Sequence, residues 1–115
     1  MIYKICERMA WQAAVETGVF SGAEADLKDG FIHLSGAGQV RETAEKHFAG
    51  QTDLLLIEFD DRDFGNELKW EISRGGDRFP HLYAQLDVNL ATQIWELKVS
   101  DDGKHLFPDV MFSTD

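Results

Sequence analysis

Residues 29–38 read DGFIHLSGAG, an apolar run that carries one imidazole and one hydroxyl and ends in glycine-rich turn chemistry. In a β-strand, alternate side chains lie on the same face. FIHLS therefore predicts a strand with Phe31, His33 and Ser35 on one face and two aliphatic side chains on the other. Because an ionisable group then lies beside an aromatic ring and a hydroxyl, this face is a candidate for binding or catalysis.

The glycines that follow have two explanations. Gly36 and Gly38 lie at a predicted strand-to-helix junction, where backbone N–H groups can bind an anion and missing side chains let a ligand approach. A tight turn with Ser35 or Gly38 near the helix cap explains the same residues without a ligand. The sequence contains neither GxxxxGK[ST] nor GxGxxG, so it carries no known phosphate-binding loop.

Hydrophobic periodicity predicts one α+β domain over residues 1–115, with two helices in the N-terminal half. The helices are predicted over residues 7–18, ended by Gly18, and over residues 39–48. The strands are predicted over residues 1–6, 31–35, 54–59, 68–73, 81–86 and 92–100, although a helix is not excluded for the last. LLLIEF is the expected central strand, covered on both faces. We expect turn-rich connections at residues 19–30 and 101–115.

Two further strands present mixed polar and aromatic faces. LKWEIS places Glu71 on one face with a lysine and a serine, and FPHLYAQL groups His81 with Tyr83. If these faces meet that of FIHLS, the cleft suits acid–base chemistry or binding of a polar small molecule. Each residue also has a structural explanation: a hydrogen-bonded core His33, a solvated Glu71, an exposed His81 after Pro80, or a core Tyr83.

The charge balance restricts the partners that we expect. The formal net charge is -10, which repels nucleic-acid phosphates and anionic membranes, so we predict no nucleic-acid or membrane partner. The one cysteine, Cys6, excludes an internal disulfide and fits a reducing compartment. Because the first residues lack the apolar core of a signal peptide, we expect a cytoplasmic location.

Metal and nucleophile chemistry find little support in the residue spacing. His33, Glu71 and His81 are suitable ligand types, but no HxH or HxxxH spacing accompanies them, so we predict no metal site. Ser35 lacks a nucleophile-elbow pattern, and Cys6 has no obvious base beside it.

Several motifs together match one family. They are IYKI, W-x-x-A-x-x-x-G, DGFIHLS-x-x-x-Q, LKWE and FPHLYA, between residues 2 and 86. This pattern closely resembles the family known as domain of unknown function 952. That family is similar in fold to the small core of ADP-ribosyltransferases, a split pair of antiparallel sheets that clasps NAD. The resemblance implies an ADP-ribosyltransferase-like fold for residues 1–115, with NAD as a candidate ligand or substrate and no certain cofactor.

Within that superfamily, the nearest motif is that of the RNA 2′-phosphotransferases. His33 and Ser35 match the second histidine and the serine of their motif. The histidine of their first strand falls near Lys4, so the resemblance implies a missing or changed ligand contact there. Their phosphate-holding arginines have no clear counterpart at residues 43–50. The resemblance to other ADP-ribosyltransferases implies Glu71 as a candidate for the acidic position with which they activate a nucleophile.

These observations lead to one leading hypothesis and two alternatives. The leading hypothesis is a cleft that binds or transforms a nucleotide-like molecule, through glycosidic chemistry on NAD or an ADP-ribose derivative. His33 and Ser35 would hold the nucleotide, Tyr83 would stack on it, and Glu71 would act as base or oxocarbenium stabiliser. The candidate residues are catalytic Glu71, His33 and His81, and ligand-binding Lys4, Ser35, Gly36, Gly38 and Tyr83.

The first alternative is a non-catalytic binding or interaction module that kept the fold without the chemistry, which the lysine at position 4 and the absent arginines favour. The second is a hydrolase of another polar metabolite, with His81 and Glu71 as an acid–base pair. The sequence leaves these three hypotheses open.

Overall fold

Ten β-strands and three α-helices lie within residues 1–109, the part of the chain that this computed structural model describes. The strands are β1 (Ile2–Glu7), β2 (Val19–Phe20), β3 (Ile32–His33), β4 (Ser35–Gly36), β5 (Leu54–Phe59), β6 (Leu68–Ile72), β7 (Arg78–Leu82), β8 (Leu86–Asp87), β9 (Ala91–Val99) and β10 (His105–Leu106). The helices are α1 (Arg8–Thr17), α2 (Glu24–Asp29) and α3 (Val40–His47). The chain is therefore α+β, as predicted.

The main sheet has five strands in the order β10-β9-β5-β1-β4, with every neighbouring pair antiparallel. The strand β5 lies at its centre. Its side chains alternate between two buried clusters, so that Leu55 and Ile57 lie on one face and Leu54 and Leu56 on the other. This confirms the prediction of a central strand covered on both sides, because both faces remove apolar surface from water.

Each face of the main sheet is covered by one helix. Helix α1 contributes Trp11 and Ala14 to the larger cluster, and α3 contributes Val40 and Ala44 to the smaller one. Helix α1 ends as predicted at Gly18, which has a φ of 92° and donates its N–H to the Ala14 carbonyl. Glycine suits this left-handed position because it has no Cβ.

The stretch FIHLS forms two short strands in different sheets, so the prediction of one continuous strand is wrong. The strand β3 pairs with β7 in a three-stranded sheet ordered β3-β7-β6, whereas β4 pairs with β1 in the main sheet. The change occurs at Leu34, which is buried and donates its N–H to the Pro80 carbonyl. Apolar alternation continues across this crossover because Ile32 and Leu34 enter the same core cluster.

The predicted strand at residues 81–86 also divides. The strand β7 ends at Leu82, and the chain then pairs through β8 with β2. The backbone N–H of Tyr83 donates to the Glu67 carbonyl at the point where the chain leaves the three-stranded sheet. The sequence shows the alternation but not the change of partner.

Helix α2 was not predicted, since residues 19–30 appeared turn-rich. It has six residues, and its buried residue is Asp26 rather than an apolar one, so no apolar stripe marks it. Asp26 accepts from the Ala23 N–H at 2.8 Å, and Gly30 ends the helix with a φ of 85°. Near the C-terminus, β10 adds to the main sheet, and residues 110–115 lie outside the described part. No helix among residues 1–109 is long and apolar enough to cross a membrane.

Candidate functional site

The outer face of the three-stranded sheet carries the candidate residues. His33 pairs directly with His81 across β3 and β7, and Lys69 pairs with His81 across β6 and β7. Residues opposite one another in antiparallel strands point to the same face, so these three side chains are neighbours. On the other face of the sheet, Leu82 pairs with both Ile32 and Leu68, and these three side chains pack into the core.

Glu71, His81 and Tyr83 form a hydrogen-bonded triad. One oxygen, Glu71 Oε1, lies 2.9 Å from His81 Nδ1 and accepts from the Tyr83 hydroxyl at 2.6 Å. Donation by Tyr83 and then by His81 lowers the pKa of Glu71, because both bonds favour the ionised carboxylate. The same bond raises the pKa of Tyr83. The carboxylate therefore stays charged and fixes the orientation of the imidazole.

The two imidazoles differ in how many of their nitrogens are engaged. His33 Nδ1 lies 2.6 Å from Asp26 Oδ1, and its Nε2 lies 2.9 Å from Asp29 Oδ2. In His81, Nδ1 lies 2.9 Å from Glu71 Oε1, and Nε2 has no hydrogen bond to the described side chains, which leave out that of residue 74 and residues 110–115. Of the two, His81 therefore has the ring nitrogen that can meet a ligand or exchange a proton.

Lys4 and Asp26 form a buried ion pair beneath His33. The Lys4 ammonium donates to both Asp26 oxygens at 3.1 and 2.9 Å and to the His33 carbonyl at 2.9 Å. The Asp26 carboxylate also accepts from the backbone N–H of His33 at 2.9 Å. Burial opposes ionisation of Asp26, but the hydrogen bonds of His33 and the charge of Lys4 prevail and hold its pKa well below the usual range.

Phe31 joins the two histidines into one aromatic cluster. Its ring stacks on His81 with centroids 4.1 Å apart and an interplanar angle of 26°. Its centroid lies 4.6 Å from that of His33 and 5.3 Å from that of Tyr83. The stacked ring covers His81, which is buried although it belongs to the outer face. The cluster thus holds both imidazoles at fixed distances from one another.

A cavity of about 310 Å³ opens beside this cluster. Its wall is shared with the aromatic cluster through Phe31 and Tyr83, and Asp26 reaches it from α2. The described residues that line it are Ser21, Asp26, Leu27, Gly30, Phe31, Ile32, Leu82, Tyr83, Ala84 and Gln85. The histidines and Glu71 contact Phe31 or Tyr83 but are not among the described lining residues.

The other candidates occupy different surroundings. Ser35 is buried in the main sheet, where its hydroxyl lies 2.9 Å from the Thr43 hydroxyl. The N–H of Gly36 donates to Gln39 Oε1 at 2.9 Å, so it is not available to an anion. A Cβ at Gly38 would meet nothing within 4 Å. The structure therefore brings Glu71, His33, His81 and Tyr83 together. It places Ser35, Gly36 and Gly38 elsewhere, in the segment just before the N-terminus of α3.

Comparison with known families places the chain. The family described as "Protein of unknown function (DUF952)" matches residues 5–94. The chain belongs to the DUF952 family. A search of curated proteins gives no match.

This DUF952 chain is also similar to solved structures. The crystal structure of protein CC0527 from Caulobacter crescentus is 46% identical, with a TM-score of 0.93 over 97% of this chain and 98% of that one. The solution NMR structure of CC0527 is 50% identical, with a TM-score of 0.81 over 90% of this chain and 89% of that one. These likenesses support the described fold.

Sequence reasoning missed two carboxylates of this DUF952 site. Asp26 and Asp29 hold the two nitrogens of His33, yet both come from the short helix α2 that periodicity did not indicate. Their spacing to His33 was no signal, because His33 lies outside the helix, in β3. Among residues 1–109, no group of three His, Cys, Asp or Glu side chains is placed to hold a metal ion.

Proposed function

We propose that the cleft at the aromatic cluster binds a nucleotide-like small molecule, NAD or an ADP-ribose derivative, with Glu71 and His81 as an acid–base pair. The observation that carries the proposal is the state of His81, whose Nδ1 is oriented by a carboxylate while Nε2 has no hydrogen-bond partner among the described side chains, those of residues 1–73 and 75–109. A carboxylate-oriented imidazole is the arrangement that general base catalysis uses.

The aromatic rings supply the binding surface in this proposal. Phe31 and Tyr83 line the cavity and also contact the catalytic pair, so a planar ring stacked on them would lie close to His81. Stacked aromatic rings gain about 0.5–1.5 kcal/mol beyond their buried area. The proposal gives Ser35 no ligand contact, because its hydroxyl faces Thr43.

The proposed reaction is cleavage of a glycosidic bond. His81 Nε2 accepts the proton of an attacking water, and the water oxygen bonds to the anomeric carbon of the ribose. The bond from that carbon to the leaving base breaks, and its electron pair departs with the base. Glu71, held ionised by Tyr83 and His81, stabilises the positive charge that develops on the imidazole and the ribose.

The fold assignment within the proposal is ADP-ribosyltransferase-like. Two antiparallel sheets joined at Leu34 support it, since the chain crosses between them at the candidate site. The resemblance of DGFIHLS to the phosphotransferase motif supports it from the sequence.

The binding test is an amide NMR titration with NAD and with ADP-ribose at millimolar concentration. We expect shifts at Phe31, His33, His81 and Tyr83. Phe31→Ala should weaken binding by removing the stacking surface, whereas Ile94→Ala, an exposed change on the main sheet, should not. Unchanged shifts near His33 at millimolar ligand would rule out the nucleotide proposal.

A second candidate is a binding module without catalysis. Lys4 favours it, because the three donor hydrogens of its ammonium are directed to Asp26 and to the His33 carbonyl instead of toward a ligand. Release of nicotinamide from NAD separates the two candidates. If the chain releases nicotinamide and His81→Ala abolishes that release, the chain is an enzyme. If the chain binds NAD and releases no nicotinamide, it is a binding module.

A further inference from the structure

We propose that the cavity beside Phe31 and Tyr83 selects the uncharged or cationic ring of a nucleoside and leaves phosphate groups outside. This inference rests on the proposed function and adds the part of the ligand that the cavity recognises. It is carried by the size of the cavity and by the charges of the residues that line it.

The size of the cavity favours a single ring with its sugar. Its volume of about 310 Å³ lies at the lower end of the range for small-molecule sites, roughly 300–1,000 Å³. A dinucleotide would therefore extend beyond the lining. Phe31 and Tyr83 offer aromatic faces at one wall, and aliphatic side chains form the rest of the apolar lining.

The polar lining residues are mainly neutral. Gln85 Nε2 donates to the Ser21 hydroxyl at 3.2 Å across the cavity mouth, and both side chains are exposed. An amide and a hydroxyl can donate and accept, which suits the edge of a base or the hydroxyls of a ribose.

The described lining offers no cation to a phosphate. Among the described lining residues, Asp26 is the ionised one and none is a lysine or an arginine, and the Lys4 ammonium at 2.9 Å balances the charge of Asp26. The Lys4 ammonium, which contacts Asp26, directs its three hydrogens to Asp26 and the His33 carbonyl. Lys69 lies 5.5 Å from the centroid of the Tyr83 ring but outside the lining. The formal net charge of -10 adds long-range repulsion of anions.

The test compares adenosine with AMP by amide NMR titration of the whole chain at low ionic strength. We expect adenosine to bind about threefold more tightly than AMP, because the described lining gives the phosphate no cation and the net charge of -10 repels it. Added salt should reduce the difference, because it screens exposed charges.

A charge variant and its matched control complete the test. Gln85→Lys places a cation at the mouth and should reverse the preference in favour of AMP. Gln85→Met has similar length, also loses the bond to Ser21 and should keep the preference for adenosine.

The outcomes distinguish this inference from the proposed function. If the unmodified chain binds NAD but binds AMP as tightly as adenosine or more tightly, the inference is wrong and the proposed function stands. If none of NAD, ADP-ribose, adenosine and AMP changes the amide shifts, both this inference and the proposed function are wrong.

Discussion

At the scale of single residues, the site depends on charges held inside the fold. Lys4 and Asp26 are 6% and 3% exposed, and each would be costly to bury alone. Together they support the backbone and ring of His33. The interior ion pair therefore positions the imidazole as well as satisfying two buried charges.

Replacing Asp26 should destabilise the fold strongly. Asp26→Asn removes the carboxylate and leaves the buried Lys4 ammonium without its counter-charge, which costs about 3–5 kcal/mol. Urea denaturation measures the free energy of unfolding. Asp29→Asn is the control, because its bond to His33 is exposed and contributes about 0–1 kcal/mol. Equal losses in the two variants would contradict a dominant role for the buried pair.

The effect of Asp26 should depend on pH in one direction. Its pKa is lowered in the folded chain, so the folded state binds fewer protons at this group than the unfolded state. The stabilisation is therefore complete above the unfolded pKa of about 3.9 and is lost as pH falls toward the folded pKa. The stability difference between the unmodified chain and Asp26→Asn should narrow in acid below about pH 4. A difference that widens there would have the wrong sign.

Tyr83→Phe should change the titration of Glu71. The Tyr83 hydroxyl makes the largest contribution to the lowered pKa of Glu71, so its removal should raise that pKa toward the ordinary value. Carboxyl carbon NMR over a pH series measures the change. Tyr3→Phe is the matched control. It removes a tyrosine hydroxyl that donates to Glu58, so it should leave the pKa of Glu71 unchanged.

At the scale of elements, the sequence predicts what apolar periodicity determines. Helix α1 with its Gly18 cap and the buried strand β5 both follow from apolar spacing, and the structure contains both. Helix α2 escaped prediction because its buried side chain is a carboxylate. The division of FIHLS escaped because alternation describes side-chain direction and not which strand is the partner.

The end of α1 provides a test at this scale. Gly18→Ala should cost about 1–2 kcal/mol, because Gly18 has a φ of 92° and a Cβ there would meet no neighbour within 4 Å, leaving backbone strain as the cause. Thermal and urea denaturation measure the loss. Gly38→Ala has open space and no positive φ, so it should be close to neutral. A loss at Gly38 as large as that at Gly18 would argue against strain.

At the scale of the whole molecule, Cys6 reports on global opening. It lies in β1 next to the central strand and is 4% exposed, and burial raises the pKa of its thiol to about 12. A thiol reagent at pH 8 should therefore react slowly with the folded chain and rapidly in urea. The destabilised Asp26→Asn variant should react faster, by about tenfold for each 1.4 kcal/mol of stability that it loses, because labelling follows the population of the open state. Rapid labelling of the unmodified chain in native buffer would contradict this expectation.

The candidate site was predictable only where strand alternation sufficed. The grouping of Glu71, His81 and Tyr83 follows from two strands that are neighbours in the chain, and His33 joins them through β3. Ser35 separates from them because the chain changes sheet at Leu34. Asp26 was hidden, since nothing in a polar segment indicates which carboxylate the fold will bury.

The crossover at Leu34 restricts the number of residues between His33 and Ser35 as well as their identity. His33 is in register with His81, and two residues later Ser35 is in register with Tyr3. One inserted residue would have to shift one of these two pairings or bulge into the packed interior around Leu34. Sequence variation that preserves the fold should therefore substitute side chains in this segment without adding or deleting any.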